Sequence, residues 1–195
     1  MNFRLLLIVP LALWLSACTI SGSARPDASF KSLGTKIGNT KCIVVRTLTD
    51  RGARLEYPKE ADQRRFDAEM RVAKVYFSER LASELKQLKK PVEVKRTGSC
   101  VEGLLITGEL TRFNPGGEWT GGVTMQFASQ LRVASSDETA IGKIAVSHNA
   151  GLNVAANVLS FAPVPVVSAV DSMPAVIDDL AAKAAKHIES TIQAK

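Results

Sequence analysis

Val123-Thr124-Met125-Gln126-Phe127-Ala128-Ser129-Gln130-Leu131-Arg132-Val133 decides how this chain folds. Its odd positions are apolar except Ser129, and its even positions are polar or small. That two-residue period is the mark of a strand with one face buried and the other wet. Ser135-Ser136-Asp137-Glu138 turns the chain, and Ala140 to Ser147 returns with Ile144 and Val146 facing inward. Upstream, Leu104-Leu105-Ile106-Thr107-Gly108-Glu109-Leu110-Thr111-Arg112-Phe113 reads as a further strand. Asn114-Pro115-Gly116-Gly117 is a turn by composition. The three segments predict an antiparallel meander.

A meander needs something to cover its apolar face. The stretch from about Glu60 to Lys89 supplies it: Phe66, Met70, Ala73, Phe77, Leu81, Leu85 and Leu88 step by three or four and form one helical face. Lys86, Lys89 and Lys90 suit the negative end of that helix, and Pro91 stops it. Asp171-Ser172 is placed to cap a last helix with Pro174 in its first turn and Val176, Ile177, Leu180, Ala184, Ile188 and Ile192 as its stripe. Lys41 to Leu48 is β-branched and reads as a central strand, and Val92 to Lys95 as a short one. The expected class is α+β: an antiparallel or mixed sheet of about five strands with a long amphipathic helix and a C-terminal helix packed on it.

Two stretches resist assignment. Glu118-Trp119-Thr120 sits between Gly116-Gly117 and Gly121-Gly122, a flexible connection with an aromatic at its tip. From Ile144 to Val170 there is no Asp, Glu, Lys or Arg, and Pro163 and Pro165 forbid a continuous helix across the apolar run Val158 to Val167. An exposed apolar patch marks a contact surface. Trp119 with Val158, Leu159, Phe161, Val164 and Val166 is therefore the candidate partner surface.

The start of the chain speaks to location. Met1 to Arg4 is short and basic, Leu5 to Trp14 is apolar, and Leu15-Ser16-Ala17-Cys18 closes the run with small residues. Leu5 to Ala17 is thirteen residues, short of the roughly 20 that span a bilayer. Leu-Ser-Ala-Cys resembles the lipobox of bacterial lipoproteins. That resemblance implies cleavage before Cys18, lipid on its thiol and acylation of its new amine. With Thr19, not aspartate, after the cysteine, it implies retention at the periplasmic face of the outer membrane. The expected division is residues 1–17 signal peptide, 18–40 lipidated cysteine and flexible tether, and 41–195 a single periplasmic domain. The tether is read from a stretch rich in Ser, Gly, Thr and Lys that carries Pro26, Gly34 and Gly38 without periodicity.

The bulk numbers fit export. The chain of 195 residues carries a net charge of +6, spread without runs of like charge. No interleaving of aromatic and basic residues of the kind that binds single strands is present, so nucleic acid is not an expected partner. With Cys18 lipidated, Cys42 and Cys100 remain as an even pair in an oxidising compartment, an expected disulfide. The sequence has no CxxC, and its two histidines, His148 and His187, stand far apart and without a motif, so no metal site and no cofactor are expected. No GxSxG elbow or phosphate loop occurs. Glu102, Glu109 and Glu118 lie near the meander, and nothing marks two of them as a catalytic pair.

The order strand, long helix, short strand, meander, apolar link and C-terminal helix over residues 41–195 resembles a class of envelope lipoproteins. Their domain is similar to the N-terminal domain of TolB and to the curli-secretion lipoprotein. The residues carrying the resemblance are Leu105 to Phe113, the glycine-bearing hairpin and the strand pair around Asp137. It implies accessory, assembly or activator roles and transfers no catalytic residue. The paired amphipathic membrane hairpins of a curli-type pore are missing. The expected function is a non-enzymatic, lipid-anchored module that binds an envelope protein; a binder of a lipid or cell-wall ligand is the alternative.

Overall fold

The computed structural model describes residues 22–28, 40–50, 60–89, 91–115, 125–149 and 173–193. Along the chain these form β1 (Gly22–Pro26), β2 (Cys42–Val45), β3 (Thr49–Asp50), α1 (Glu60–Lys86), β4 (Glu93–Lys95), β5 (Gly103–Asn114), β6 (Gln126–Ser135), β7 (Ala140–Asn149) and α2 (Met173–Gln193). The fold is α+β, as expected: a mixed sheet in the order β1-β7-β6-β5-β2-β4, with β3 also on β5 and a helix at the C-terminal end. β5, β6, β7 and β1 are antiparallel neighbours, while β2 and β3 run parallel to β5 and β4 parallel to β2.

The described residues hold seven strands, two more than expected. The first addition is β1, which falls inside the stretch read as a tether. Gly22-Ser23-Ala24-Arg25-Pro26 has the composition of a linker, yet it pairs with β7 from Gly22↔His148 to Pro26↔Ile144. Packing explains it. A Cβ at Gly22 would sit 2.6 Å from both Asp179 Oδ2 and Leu180 Cδ2, so glycine alone lets α2 close over this edge. Pro26 is tolerated because β1 is an edge strand. Lys183 Nζ then donates to the Gly22 carbonyl and to Asp179 Oδ2, each at 2.7 Å.

The second addition is β3. Val45 pairs with Ile106 and Thr49 with Glu109, so three residues on one strand face two on the other. That bulge breaks the expected strand Lys41 to Leu48 and swings Leu48 into the core, where it is buried. Its amide donates to Ser78 Oγ at 3.3 Å, and Ser78 Oγ in turn donates to the Lys74 carbonyl at 2.8 Å.

Both helices lie over one face of the sheet, and their apolar stripes meet it. Phe77 of α1 stacks on Phe127 of β6 with ring centroids 5.3 Å apart, and Phe66 meets Phe113 of β5 at 5.5 Å. Leu81, Leu85, Ile106, Leu110, Leu131, Ile144, Ile177 and Leu180 are fully buried around them. Ser129, the exception in the alternating strand, is buried on this same face. The helices run side by side in the same direction, since Tyr76 reaches Asp178 and the Lys89 amide reaches Glu189. Tyr76 Oη donates to Asp178 Oδ1 at 3.0 Å, and Arg80 Nε lies 2.6 Å from the same oxygen.

Candidate functional site

The face away from the helices is the open one, and one corner of it is locked. Cys42 and Val44 point to this face, yet both are buried. The segment between β4 and β5 crosses over them. Cys100 in that segment forms the expected disulfide with Cys42, Cα atoms 5.9 Å apart. Gly103 makes the crossing possible: a Cβ there would collide with the Cys42 carbonyl. Two further clamps hold the segment, Arg46 Nη2 donating to the Gly98 carbonyl at 2.7 Å and Ser136 Oγ to the Val101 carbonyl at 2.9 Å. Arg96 returns the favour to the sheet, its guanidinium donating to the Val45 carbonyl and to Thr47 Oγ1, both at 3.1 Å. Burial pushes the Arg96 guanidinium below its ordinary value, with the Glu79 carboxylate opposing. The sequence carries no sign of these arginine clamps, because each depends on a bulge and a crossover and not on a local motif.

The cleft left at this corner is bounded by Val44, Arg46, Gly98, Cys100, Leu105 and Glu138 and has a volume of about 110 Å³. Small-molecule pockets occupy roughly 300–1,000 Å³. Among the described residues, the rest of the open face is mainly basic. Arg132 on β6 stands directly opposite Lys143 on β7, with Glu109 and Arg112 on β5 and Arg25 on β1 along the same surface. Glu102 pairs with Lys41 at 3.4 Å and Glu109 lies on the open face, so these two carboxylates are not assembled as a pair. His148 is buried under α2 at the end of β7, and His187 sits on α2. Among the described residues no three His, Cys, Asp or Glu side chains converge to hold a metal. No described helix is long and apolar enough to cross a membrane.

Cys18, Trp119, Val158, Leu159, Phe161, Val164, Val166 and Glu118 lie outside the described residues. The points where their segments join the sheet are described, and they share one end of it. The register Asn114↔Gln126↔Asn149 aligns the end of β5, the start of β6 and the end of β7, and Gly22↔His148 puts the start of β1 beside them. The stretch with Trp119 joins β5 to β6 here, the stretch with Val158 to Val167 follows β7 from here, and the chain from Cys18 enters here. The opposite end holds the Ser135–Thr139 turn, where Asp137 accepts from Ser135 Oγ and from the Thr139 amide. Those bonds hold the Asp137 carboxyl below its ordinary value.

Solved structures share this fold. The fold is similar to that of PelC. A point variant of the PelC dodecamer from Paraburkholderia phytofirmans matches with a TM-score of 0.52 at 10% identity, over 87% of this chain and 98% of that one. A second crystal form of the PelC dodecamer matches with a TM-score of 0.50, also at 10% identity, over 90% and 99%. At that identity PelC shares the architecture and nothing finer. No protein-family model matches this chain, and no curated protein matches it.

Proposed function

We propose that this protein is a lipid-anchored module of the bacterial envelope, held at the outer membrane through Cys18, and that it works without catalysis by binding an envelope protein. The Cys42–Cys100 disulfide carries the reading. Such bridges persist in oxidising compartments and are rare where thiols are kept reduced. The pairing uses both remaining cysteines and leaves Cys18, in its Leu-Ser-Ala-Cys setting, as the odd one out. The partner surface is assigned to Trp119 and Val158 to Val167, whose segments leave a common sheet end.

Crosslinking in intact envelopes followed by affinity capture tests this. One stoichiometric protein partner is expected, lost on Trp119→Ala combined with Phe161→Asp. Capture of lipid or glycan alone, or turnover of a substrate by the purified protein, overturns it.

A further inference from the structure

Four neighbouring strands each carry a cation on the sheet face turned away from the helices. Arg132 on β6 stands directly opposite Lys143 on β7. Arg25 on β1 pairs with Ala145, two residues from Lys143, and Arg112 on β5 pairs with Ala128, four residues from Arg132. All four cations are exposed, as are Ala145 and Gln130 between them, so the middle of the face is uncovered. With roughly 4.8 Å between strands and 3.4 Å per residue, the cations span a field of about 14 Å each way. The floor between them is short, with Ala128 and Ala145 at its centre.

We propose that this face docks an acidic protein surface. Like charges directly across two antiparallel strands destabilise the pair. Arg132 and Lys143 hold that arrangement in the open, where a partner carboxylate set between them relieves it. Three of the four cations are arginines, whose planar forks match carboxylates two bonds at a time. Two carboxylates border the field: Glu109 opposite Gln130, and Asp27, whose amide donates to the Lys143 carbonyl at 2.9 Å. A bilayer with anionic headgroups throughout meets both with repulsion, whereas a protein can set a cation or a hydrogen-bond donor against each. None of the described residues on this face is aromatic, so the stacking on which single-stranded nucleic acids depend has no platform. The surface uses neither Cys18, Trp119 nor Val158 to Val167, so it stands or falls apart from the lipid anchor and from the partner surface assigned above.

The test places a photo-crosslinking amino acid at the exposed position 145 of the full-length protein in intact cells. A protein adduct is expected, on a partner peptide bearing Asp or Glu. Arg132→Glu with Lys143→Glu should weaken it about tenfold or more, whereas an equal charge change at the exposed Arg64 and Arg71 of α1, both to Glu, should alter it less than about twofold. Replacing the mapped carboxylates of the partner by lysine should restore the adduct to the reversed protein. If the reversed protein fails to fold, Arg132→Gln with Lys143→Gln takes its place, with a loss in the same direction. Adducts to lipid or glycan alone, no adduct, a protein adduct indifferent to Arg132 and Lys143, or equal loss from both reversals overturns the proposal. Each of those results leaves the lipid anchor, read from acyl mass, untouched.

Discussion

Cys42 and Cys100, 58 residues apart in sequence, are bonded across the sheet face that the helices leave open. The bridge turns a loop containing all of α1 and β4 into a closed ring. By loop entropy, closing a ring of that size stabilises the fold by about 4 kcal/mol, an upper value. The paired substitution Cys42→Ala with Cys100→Ala should lower the denaturant midpoint accordingly. Unfolding in the presence of a reductant should then leave the variant unmoved while shifting the native protein towards it.

Phe77 and Phe127 join helix to sheet at the centre of the core. Phe77→Ala removes a fully buried ring and should cost about 3–5 kcal/mol. Phe77→Leu should cost visibly less. Equilibrium unfolding of both variants checks the order.

Gly108 leaves room for the bulge. A Cβ there would lie 2.6 Å from Leu48 Cδ2 and 2.9 Å from Leu131 Cδ2. Gly108→Ala should destabilise by about 1–3 kcal/mol through overpacking. In a Leu48→Ala background the same change should cost less, because its nearest obstacle is gone. A double-mutant cycle measures the difference.

Asp50 on β3 pairs with Lys74 on α1 at 2.9 Å, and the hydrogen bond from Lys74 holds its carboxyl below the ordinary value, against the opposing effect of burial. A carboxyl depressed in the folded state adds stability above its unfolded value, about 3.9, and loses it as pH falls through the folded value. Asp50 is 42% exposed, so water screens the pair and the contribution stays under about 1 kcal/mol. Asp50→Asn should therefore be slightly less stable than the native protein at neutral pH, with the gap closing below about pH 4. A gap that persists into strong acid would rule the pair out.

How far the sequence carries the fold differs between its parts. The meander and both helices are legible because their periods, two and 3.6, recur over ten residues or more and match the faces they bury, even though bulges at Leu110/Arg112 and Val133/Ala134 interrupt the strands. β1 is not, because Gly22-Ser23-Ala24-Arg25-Pro26 has no apolar alternation; its place depends on a glycine fitting beneath α2. The break between β2 and β3 is likewise set from outside, by Leu48 turning in beside Gly108 and Ser78. The disulfide is legible from cysteine count and compartment, whereas the arginine clamps beside it are not, since Arg46 and Arg96 look like any surface cations until the crossover brings carbonyls to them. Of the candidate surface, the sequence supplies the apolar residues, and only the register brings the roots of their segments to one end.

The most direct measurement is the mass of the N-terminal peptide of the protein taken from its native envelope. The expected result is a chain beginning at Cys18 with diacylglycerol on the sulfur and an acyl group on the amine, and an unprocessed or soluble product for Cys18→Ser. A mature chain with an unmodified Cys18, or one that keeps Met1 and fractionates with the cytosol, contradicts the lipid anchor.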